Sequence, residues 1–481
     1  MENKLHAGFA RVDITPVKAS VPLAGHGANE FRMSARVEMP LNANCIALAN
    51  GDERCVYLSL DIIGVRTEHL EYYREAIKEA TGLPVDRIFI CASHTHSGPD
   101  LSSAVPSAVE YRETYLRDKL VEGSERALAD LKPAKLSYGT TIAGHPGAWL
   151  NHDRHYYCVE DAKKDNYTEA DLHLTVGELN HWKIWKKGSG YTIVRHVEEG
   201  DHSIQVMRLD REAADDIILV NFASHSTFAD STRRPCINAD HPGELVKRLE
   251  QLIPGTKCAY FQGCCGNLVP STCIEEEGIW GVTYPPLQPV KGMPAIFRSQ
   301  AAYGAITAGY AFKALTECMK PSETETLSFV QRVHMGRIDH RKDAFADKAK
   351  EAITVFQKEG HTAAASEWCA KFGLGSVLTC GSIIRKSLLP KENPIELNAI
   401  RLGDCAITTL PFEPFSSIGE HVKEASPFKM TFVNGYSCGY HCYLPNKTVD
   451  PDSYEGSTTL YMPGTDEELE GVLAEMLKEL Y

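Results

Sequence analysis

The sequence has few features that mark membrane or nucleic-acid-binding proteins. No stretch approaches the roughly 18 apolar residues needed to cross a bilayer, and the start, MENKLHAGFARVDITP, has no basic leader before an apolar run. Dense basic blocks are absent as well, and 50 Lys and Arg against 64 Asp and Glu give a formal net charge of −14. Nucleic acid and acidic membrane surfaces are therefore poor candidate partners, and we expect a cytoplasmic protein without an anchor.

The cysteines lack the paired CxxC spacing of zinc ribbons, although the chain has 15 of them. They are scattered and odd in number, so reduced thiols in a cytosolic core explain them better than a disulfide framework does. We detect no linker rich in Pro, Gly or Ser and no internal repeat. The sequence therefore predicts one domain over residues 1–481, in which the segment 340–395 has helical patterning and is a candidate insertion.

What the chain does contain is a recurring succession of an apolar strand and a polar loop. The four strand segments are RIFICAS (87–93), IILVNFAS (217–224), CAYFQG (258–263) and AITTLP (406–411). Near-continuous apolar runs of this kind are typical of strands that are covered on both faces. In sheets flanked by helices, ligands bind where strands end in loops, so the four loops predict one shared site.

Helix signals lie between these strands. Thr67 is a candidate N-cap for EHLEYYREAIKEAT, which stops at Gly82, and HPGELVKRLEQLI (241–253) and DEELEGVLAEMLKELY (466–481) have helical spacing. The predicted fold class is therefore α/β, with mixed central β-sheets covered by helices and the active site at the strand ends.

Two histidines, His94 and His96, follow the first strand in the stretch CASHTHSGPD. Residues two apart on extended chain point the same way, which suits a pair of metal ligands, but 19 histidines make chance pairs common. His225 and Glu413 stand in the same position after their own strands. A carboxylate leaving an apolar strand needs a partner, because its unpaired burial is costly. Two imidazoles and one carboxylate form the ligand set of a catalytic zinc site.

Three further features leave alternatives open. The segment 271–299, rich in Pro, Gly and aromatic residues, is either a surface excursion or a lid over the site. The tyrosine-rich stretch 434–461 suits a loop that lines a pocket, although most of its tyrosines could serve packing alone. Cys264 and Cys265 could be a nucleophile or soft ligands, but small residues that allow close approach of the loop are the better explanation.

Taken together, the motifs AGFARVDITP, ASHTHSGP, NFASHST, LPFEP and YLP…YEGST resemble those of the neutral/alkaline non-lysosomal ceramidase family, in its catalytic N-terminal domain. SHTHSGP is specific to that family, and the order and spacing of the other motifs add to the resemblance. The resemblance covers most of the chain and implies a ceramidase-like catalytic domain with a zinc ion.

The resemblance also implies roles for individual residues. The implied zinc ligands are His94, His225, Glu413 and a tyrosine of the late loop. Tyr443 is preferred to Tyr440 as this tyrosine, because the family's ligand tyrosine stands shortly before the tyrosine of its YEG-like motif, here Tyr454. The implied catalytic residues are His96, which would face the reacting carbonyl, with Arg154 and Tyr454. The implied substrate-binding residues are Gly266, Asn267 and Tyr440.

The chain departs from the family pattern in ways that bear on function. The family's Gly-Asp-x-Ser-Pro loop is GNLVP here, so Asn267 replaces the acid and Val269 replaces the serine, which excludes a serine nucleophile at this position. A C-terminal β-sandwich domain and a signal peptide of the secreted kind are not expected either. A small water-soluble substrate therefore fits better than ceramide at a membrane surface.

These observations predict a zinc-dependent hydrolase that cleaves a linear amide bond of a soluble N-acyl compound with zinc-bound water as the nucleophile. One alternative keeps the metal and changes the reaction to that of a lyase, an esterase or a sugar-modifying enzyme. Another is a non-catalytic binding protein that retains the metal. The substrate, the leaving group and the oligomeric state are left open by the sequence.

Overall fold

The computed structural model describes residues 4–17, 20–25, 32–145, 149–154, 156–160, 191–196, 200–229, 235–270, 300–359, 369, 374, 377–449, 451 and 453–481. The segment 271–299, for which a lid or a surface excursion was predicted, lies outside these residues, as does part of 340–395.

Three successive parts of the chain fold into the same arrangement of four strands and one helix. In each unit three strands form an antiparallel meander, and a helix then leads to a fourth strand that pairs parallel with the third. The units share topology but no recognisable sequence motif, so the repeat, which the sequence analysis did not detect, becomes visible only in the strand pairing.

The bounds of the elements follow the chain. The first unit and the helices after it comprise β1 Leu5–Asp13, β2 Arg36–Val37, β3 Asn42–Asn50, β4 Glu53–Leu60, α1 Thr67–Thr81, β5 Ile88–Ala92, α2 Pro106–Glu110 and α3 Arg117–Ala129. The second unit and its flanking elements comprise β6 Lys132–Ile142, β7 Asn151–Asp153, β8 Tyr156–Glu160, β9 Tyr191–His196, β10 Ser203–Arg211, β11 Asp216–Phe222, β12 Cys236–Ile237, α4 Asp240–Leu252, β13 Thr256–Gln262, β14 Leu268–Pro270, α5 Gln300–Glu317 and β15 Lys320–Pro321. The third unit and its flanking elements comprise β16 Leu327–Arg337, α6 Ala346–Glu359, α7 Val377–Leu388, β17 Glu392–Leu402, β18 Cys405–Thr409, β19 Glu413–Pro414, α8 Ser416–Ala425, β20 Met430–Asn434, β21 Tyr443–Leu444, α9 Tyr454–Thr458 and α10 Thr465–Leu480.

The first two units share one large sheet whose halves face each other. A short pairing of β1 with β6 joins them, in the order β13-β11-β10-β6-β1-β3-β4-β5. The halves meet where the Tyr57 ring stacks on the Phe261 ring at 4.1 Å. Helices α1 and α3 cover the outer side of the first half, and α4 and α5 cover the second. The α/β fold class with mixed sheets covered by helices is thereby confirmed.

The third unit contributes a separate sheet, β16-β17-β18-β20, that shares the main hydrophobic core with the first two units. The Asn221 side chain on β11 donates a hydrogen bond to the Asn434 side chain on β20 over 2.9 Å, which ties this sheet to the second unit. Helices α8 and α10 pack on the third sheet. Between β16 and β17, α6 and α7 pack around a small cluster of their own that includes Cys369 and Cys380.

One prediction about helix ends is wrong, and one is confirmed. Thr67 is not the cap of α1, because Arg66 occupies the N-cap position and makes no side-chain capping bond. The Thr67 hydroxyl instead lies 3.2 Å from His441 Nε2, so a tertiary contact replaces the local one. The helix ends at Gly82, as predicted. In the part of the chain that the structure describes, we find no helix with the length and apolar character of a membrane span.

Candidate active site

Each of the three units delivers one polar side chain to the same point. His94 follows β5, His225 follows β11, and Glu413 stands after β18 at the start of β19. Because these strands belong to parallel pairs, their carboxyl ends open toward one cleft. The structure brings the three side chains together, with Glu413 Oε2 3.3 Å from His94 Nε2 and 3.4 Å from His225 Nε2.

Backbone carbonyls orient both imidazoles. His94 Nδ1 lies 2.7 Å from the Ile63 oxygen, and His225 Nδ1 lies 2.7 Å from the Cys265 oxygen. A carbonyl only accepts hydrogen bonds, so each Nδ1 carries a proton, and Nε2 is the ring atom that each histidine turns toward Glu413. Burial lowers the pKa of His225 to about 4, which keeps this imidazole neutral at physiological pH.

His96 belongs to the same cluster. Its Nε2 lies 3.2 Å from His94 Nε2, and the candidate ligand atoms of His94, His96 and His225 all lie within 4.8 Å of one another. His96 is partly exposed, whereas the other two imidazoles are buried. The geometry therefore suits both an additional ligand and the predicted catalytic role of His96.

The donor atoms at this point fit a divalent cation. His225 Nε2 and Glu413 Oε2 are both buried, and neither has a hydrogen-bond partner among the residues that the structure describes. Leaving a polar atom unsatisfied inside a protein costs about 1–3 kcal/mol, so two such atoms that face each other require a compensating charge. Two imidazole nitrogens and a carboxylate oxygen are a donor set that zinc accepts readily.

The three predicted tyrosines take different positions around the carboxylate. The Tyr440 hydroxyl donates a hydrogen bond to Glu413 Oε1, the oxygen that does not face the imidazoles. Tyr443 pairs with Glu413 across the short parallel ladder of β19 and β21. The rings of Tyr443 and Tyr454 meet edge to face at 5.4 Å. Tyr443 as a metal ligand remains a prediction.

Arg154 lies beside the same tyrosines. Its Nη2 donates to the Gly266 oxygen over 2.6 Å and lies 3.4 Å from the Tyr443 hydroxyl. Its Nε lies 3.3 Å from Oε1 of Glu455, whose side chain is wholly buried. The structure thus brings Arg154, which the family resemblance implied, next to Tyr443, while Glu455 was missed because no local pattern predicts its long-range pairing.

Asn267 and Gly266 make hydrogen bonds to neighbouring parts of the protein in this structure. The Asn267 amide donates to Asp153 over 2.6 Å, and its carbonyl oxygen accepts from the Ser416 backbone over 2.7 Å. The Gly266 backbone N–H donates to the Pro414 oxygen over 2.7 Å, beside Glu413. Both residues therefore hold the backbone that carries the carboxylate, and their predicted contact with substrate stays a prediction.

Tyr436 is a site residue that the sequence analysis did not single out. It follows β20 with a positive φ of 53°, which places its ring against the His94 imidazole at 4.0 Å. Its hydroxyl lies 3.1 Å from the sulfur of Cys265. The Asn-Gly pair before it, within the tyrosine-rich stretch, is the one sequence signal that could have pointed to a turn here.

The neighbouring thiols lie beneath the site rather than in it. Cys264 and Cys265 are buried, and burial raises the pKa of the Cys264 thiol well above its usual range. A thiol nucleophile needs an accessible sulfur of lowered pKa, so the interpretation as small packing residues is favoured.

Comparisons with known proteins show which known fold this chain resembles. No family model matches the sequence, and no curated protein matches it. Among solved structures, the neutral ceramidase from Pseudomonas aeruginosa is similar with a TM-score of 0.68 and 17% identity, over 100% of this chain and 75% of that one. A ceramidase complexed with C2 is similar with a TM-score of 0.67 and 16% identity, over the same shares. The chain thus has a neutral ceramidase-like fold, which confirms the predicted resemblance at the level of the fold.

Proposed function

We propose that this protein is a metal-dependent hydrolase that cleaves a linear amide bond in a small N-acyl compound. The observation that carries the proposal is the convergence of the Nε2 atoms of His94 and His225 on a buried carboxylate oxygen of Glu413 at the ends of three parallel strand pairs. The two similar solved structures are ceramidases by name, which supports an amide as the bond that is broken.

Zinc is the metal we propose, held by His94, His225 and Glu413, with Tyr443 as a further ligand. When bound, a zinc ion polarises a carbonyl and lowers the pKa of water from about 15.7 toward 7. Three ligands from different parts of the fold fix its place, and the short β19–β21 ladder brings Tyr443 beside Glu413.

His96 is the residue we propose to hold and move the proton. It is the partly exposed member of the histidine cluster, so its ring can face both a substrate and solvent. Its Nε2, 3.2 Å from His94 Nε2, is close enough to the ligand cluster to take a proton there and release it to a leaving amine.

Arg154 and Tyr454 would orient the substrate oxygen that gains negative charge. The Arg154 guanidinium carbon lies 5.9 Å from the centre of the Tyr454 ring, and both groups carry hydrogen-bond donors. Hydrogen-bond donors that are fixed in advance around such an oxygen typically lower the activation barrier by about 3 kcal/mol each.

Water is the attacking group in this proposal. Val269 stands where a serine would be needed, and the thiols of Cys264 and Cys265 are buried with raised pKa values. Because Val269 replaces this serine, ester hydrolysis or a lyase reaction is the second candidate function. The acidic chain, with a net charge of −14, favours a water-soluble substrate in either case.

Elemental analysis of purified protein tests the proposal first. We expect about one zinc per chain in the wild type. The variants His94→Ala and Glu413→Ala should lose it, while His421→Ala, which changes an exposed histidine paired with Glu470, should retain it. A panel of soluble N-acyl compounds would then be screened for released amine. A folded wild-type protein that takes up no metal from supplied zinc would overturn the hydrolase mechanism.

A further inference from the structure

The two oxygens of Glu413 have different surroundings. Oε2 faces the Nε2 atoms of His94 and His225 and, within the described part of the chain, has no hydrogen-bond partner. Oε1 accepts a hydrogen bond from the Tyr440 hydroxyl. A carboxylate turns about its terminal bond with little resistance, so this hydrogen bond fixes the orientation in which one oxygen points at the imidazoles.

The position of Tyr440 is itself fixed by its neighbours. Its ring lies against Gly64, where an added Cβ would stand 2.9 Å from a Tyr440 ring carbon. The next residue, His441, donates its backbone N–H to the Pro411 oxygen over 2.6 Å, and Cys442 accepts the backbone N–H of Glu413 over 2.9 Å. The Tyr440 loop therefore holds both the backbone and the side chain of Glu413.

We propose that Tyr440 is a positioning residue for the metal ligand Glu413 and that Gly64 provides the space its ring requires. The proposal rests on the metal site proposed above. A hydroxyl that donates to Oε1 holds the carboxylate with Oε2 toward the imidazoles, so Oε2 is the oxygen that would hold the ion. Groups that hold metal ligands in this way typically contribute 10- to about 100-fold in metal affinity.

The geometry distinguishes this positioning role from the two other roles predicted for Tyr440, which are those of a metal ligand and of a substrate-binding residue. The hydroxyl of a metal ligand would face the histidines together with Oε2, whereas the Tyr440 hydroxyl meets the opposite oxygen. A substrate-binding hydroxyl would need its proton for the substrate, whereas this proton is used by Glu413.

Zinc affinity, measured by competition with a chromophoric chelator, tests the proposal without any substrate. Tyr440→Phe should bind zinc about 10- to 100-fold more weakly than the wild type. Gly64→Ala should show a similar loss, and the double variant should bind no more weakly than Tyr440→Phe alone, because both changes remove the same hydrogen bond. Tyr111→Phe is the matched control, since it removes a buried hydroxyl that donates to the Ile14 oxygen over 2.7 Å.

The outcomes separate this proposal from the proposed function. If the wild type binds zinc and Tyr440→Phe binds it equally well, the positioning role is overturned while the metal site stands. If the wild type binds no zinc, both the positioning role and the proposed metal site are overturned. Iron(III) serves as a probe for direct ligation, because a phenolate ligand gives a visible charge-transfer band. Loss of that band in Tyr440→Phe but not in Tyr443→Phe would make Tyr440 a ligand and overturn the proposal.

Discussion

The ends of β4 and β18 are equivalent places in two units of the fold, yet they use a buried carboxylate differently. Asp61 follows β4 and accepts a hydrogen bond from the Asn42 backbone over 2.9 Å. Glu413 follows β18, and its Oε2 faces two imidazoles and accepts no hydrogen bond from the residues described here. A buried carboxylate at a strand end is therefore not a site by itself; it becomes one where its neighbours are further metal donors instead of a backbone N–H.

The largest expected effect distinguishes these two carboxylates directly. Glu413→Gln replaces an anionic ligand with a neutral amide, so we expect loss of bound zinc and of any hydrolysis that the wild type supports. Asp61→Asn should retain the metal, because Asp61 contributes no atom to the cluster. Metal content of both purified variants checks the contrast, and equal zinc loss in the two would remove the distinction.

A third buried carboxylate, Glu455, has a cationic partner, Arg154. Glu455→Gln leaves the Arg154 guanidinium without the carboxylate at its Nε, and breaking a buried ion pair from one side costs about 3 kcal/mol or more. We expect this loss of unfolding free energy in urea titrations. Glu475→Gln, at an exposed pair with Arg332, should cause no measurable change.

If Glu455→Gln unfolds at the same urea concentration as the wild type, Arg154 does not depend on this counter-ion. The double variant Arg154→Met, Glu455→Gln should recover part of the stability, because no charge is then left buried and unpaired.

The pH dependence of stability gives an effect of another kind, at Asp61. Burial raises the pKa of Asp61 to about 7, against about 3.9 in an unfolded chain. The unfolded chain loses this proton first, so the stabilising contribution of Asp61 is full below about pH 4 and lost by about pH 7. With a chelator present, the unfolding free energy of the wild type minus that of Asp61→Asn should fall between about pH 4 and pH 7. A constant difference would show that Asp61 is ionised in the folded protein throughout.

The smallest expected effect concerns the end of β13, which contributes no side chain to the metal cluster. After β13 stand Cys264 and Cys265, where the other units have His94 and Tyr436. The variant Cys264→Ala, Cys265→Ala should retain its zinc and keep turnover within a few-fold of the wild type, because both sulfurs are buried and neither faces the cluster. Abolished turnover at unchanged zinc content would assign the thiols a chemical role.

The sequence predicted the candidate site residues at the strand ends better than the residues that surround them. Apolar runs followed by histidine or glutamate identified His94, His225 and Glu413, since strand burial and a polar exit are both local patterns. Tyr436 escaped notice because its role depends on a positive φ, and Glu455 because its partner lies far away in sequence. The cap of α1 was predicted wrongly since the tertiary contact of Thr67 with His441 outweighed local propensity.

The topological repeat was invisible in the sequence for a related reason. Strand pairing depends on which apolar faces meet, and many different residues satisfy the same pairing. Similarity of sequence between the three units is therefore not required for similarity of fold.

In the proposed metal site each unit would supply one ligand, which has a consequence for assembly of the chain. The ion can bind only after three distant segments have docked, so metal uptake and completion of the tertiary structure are thermodynamically linked. A ligand that binds only the native state stabilises it by about 2.7 kcal/mol at a free concentration of a hundred times its Kd. The melting temperature should therefore rise with free zinc, and a metal-starved cell would hold a chain that its proteases degrade more readily.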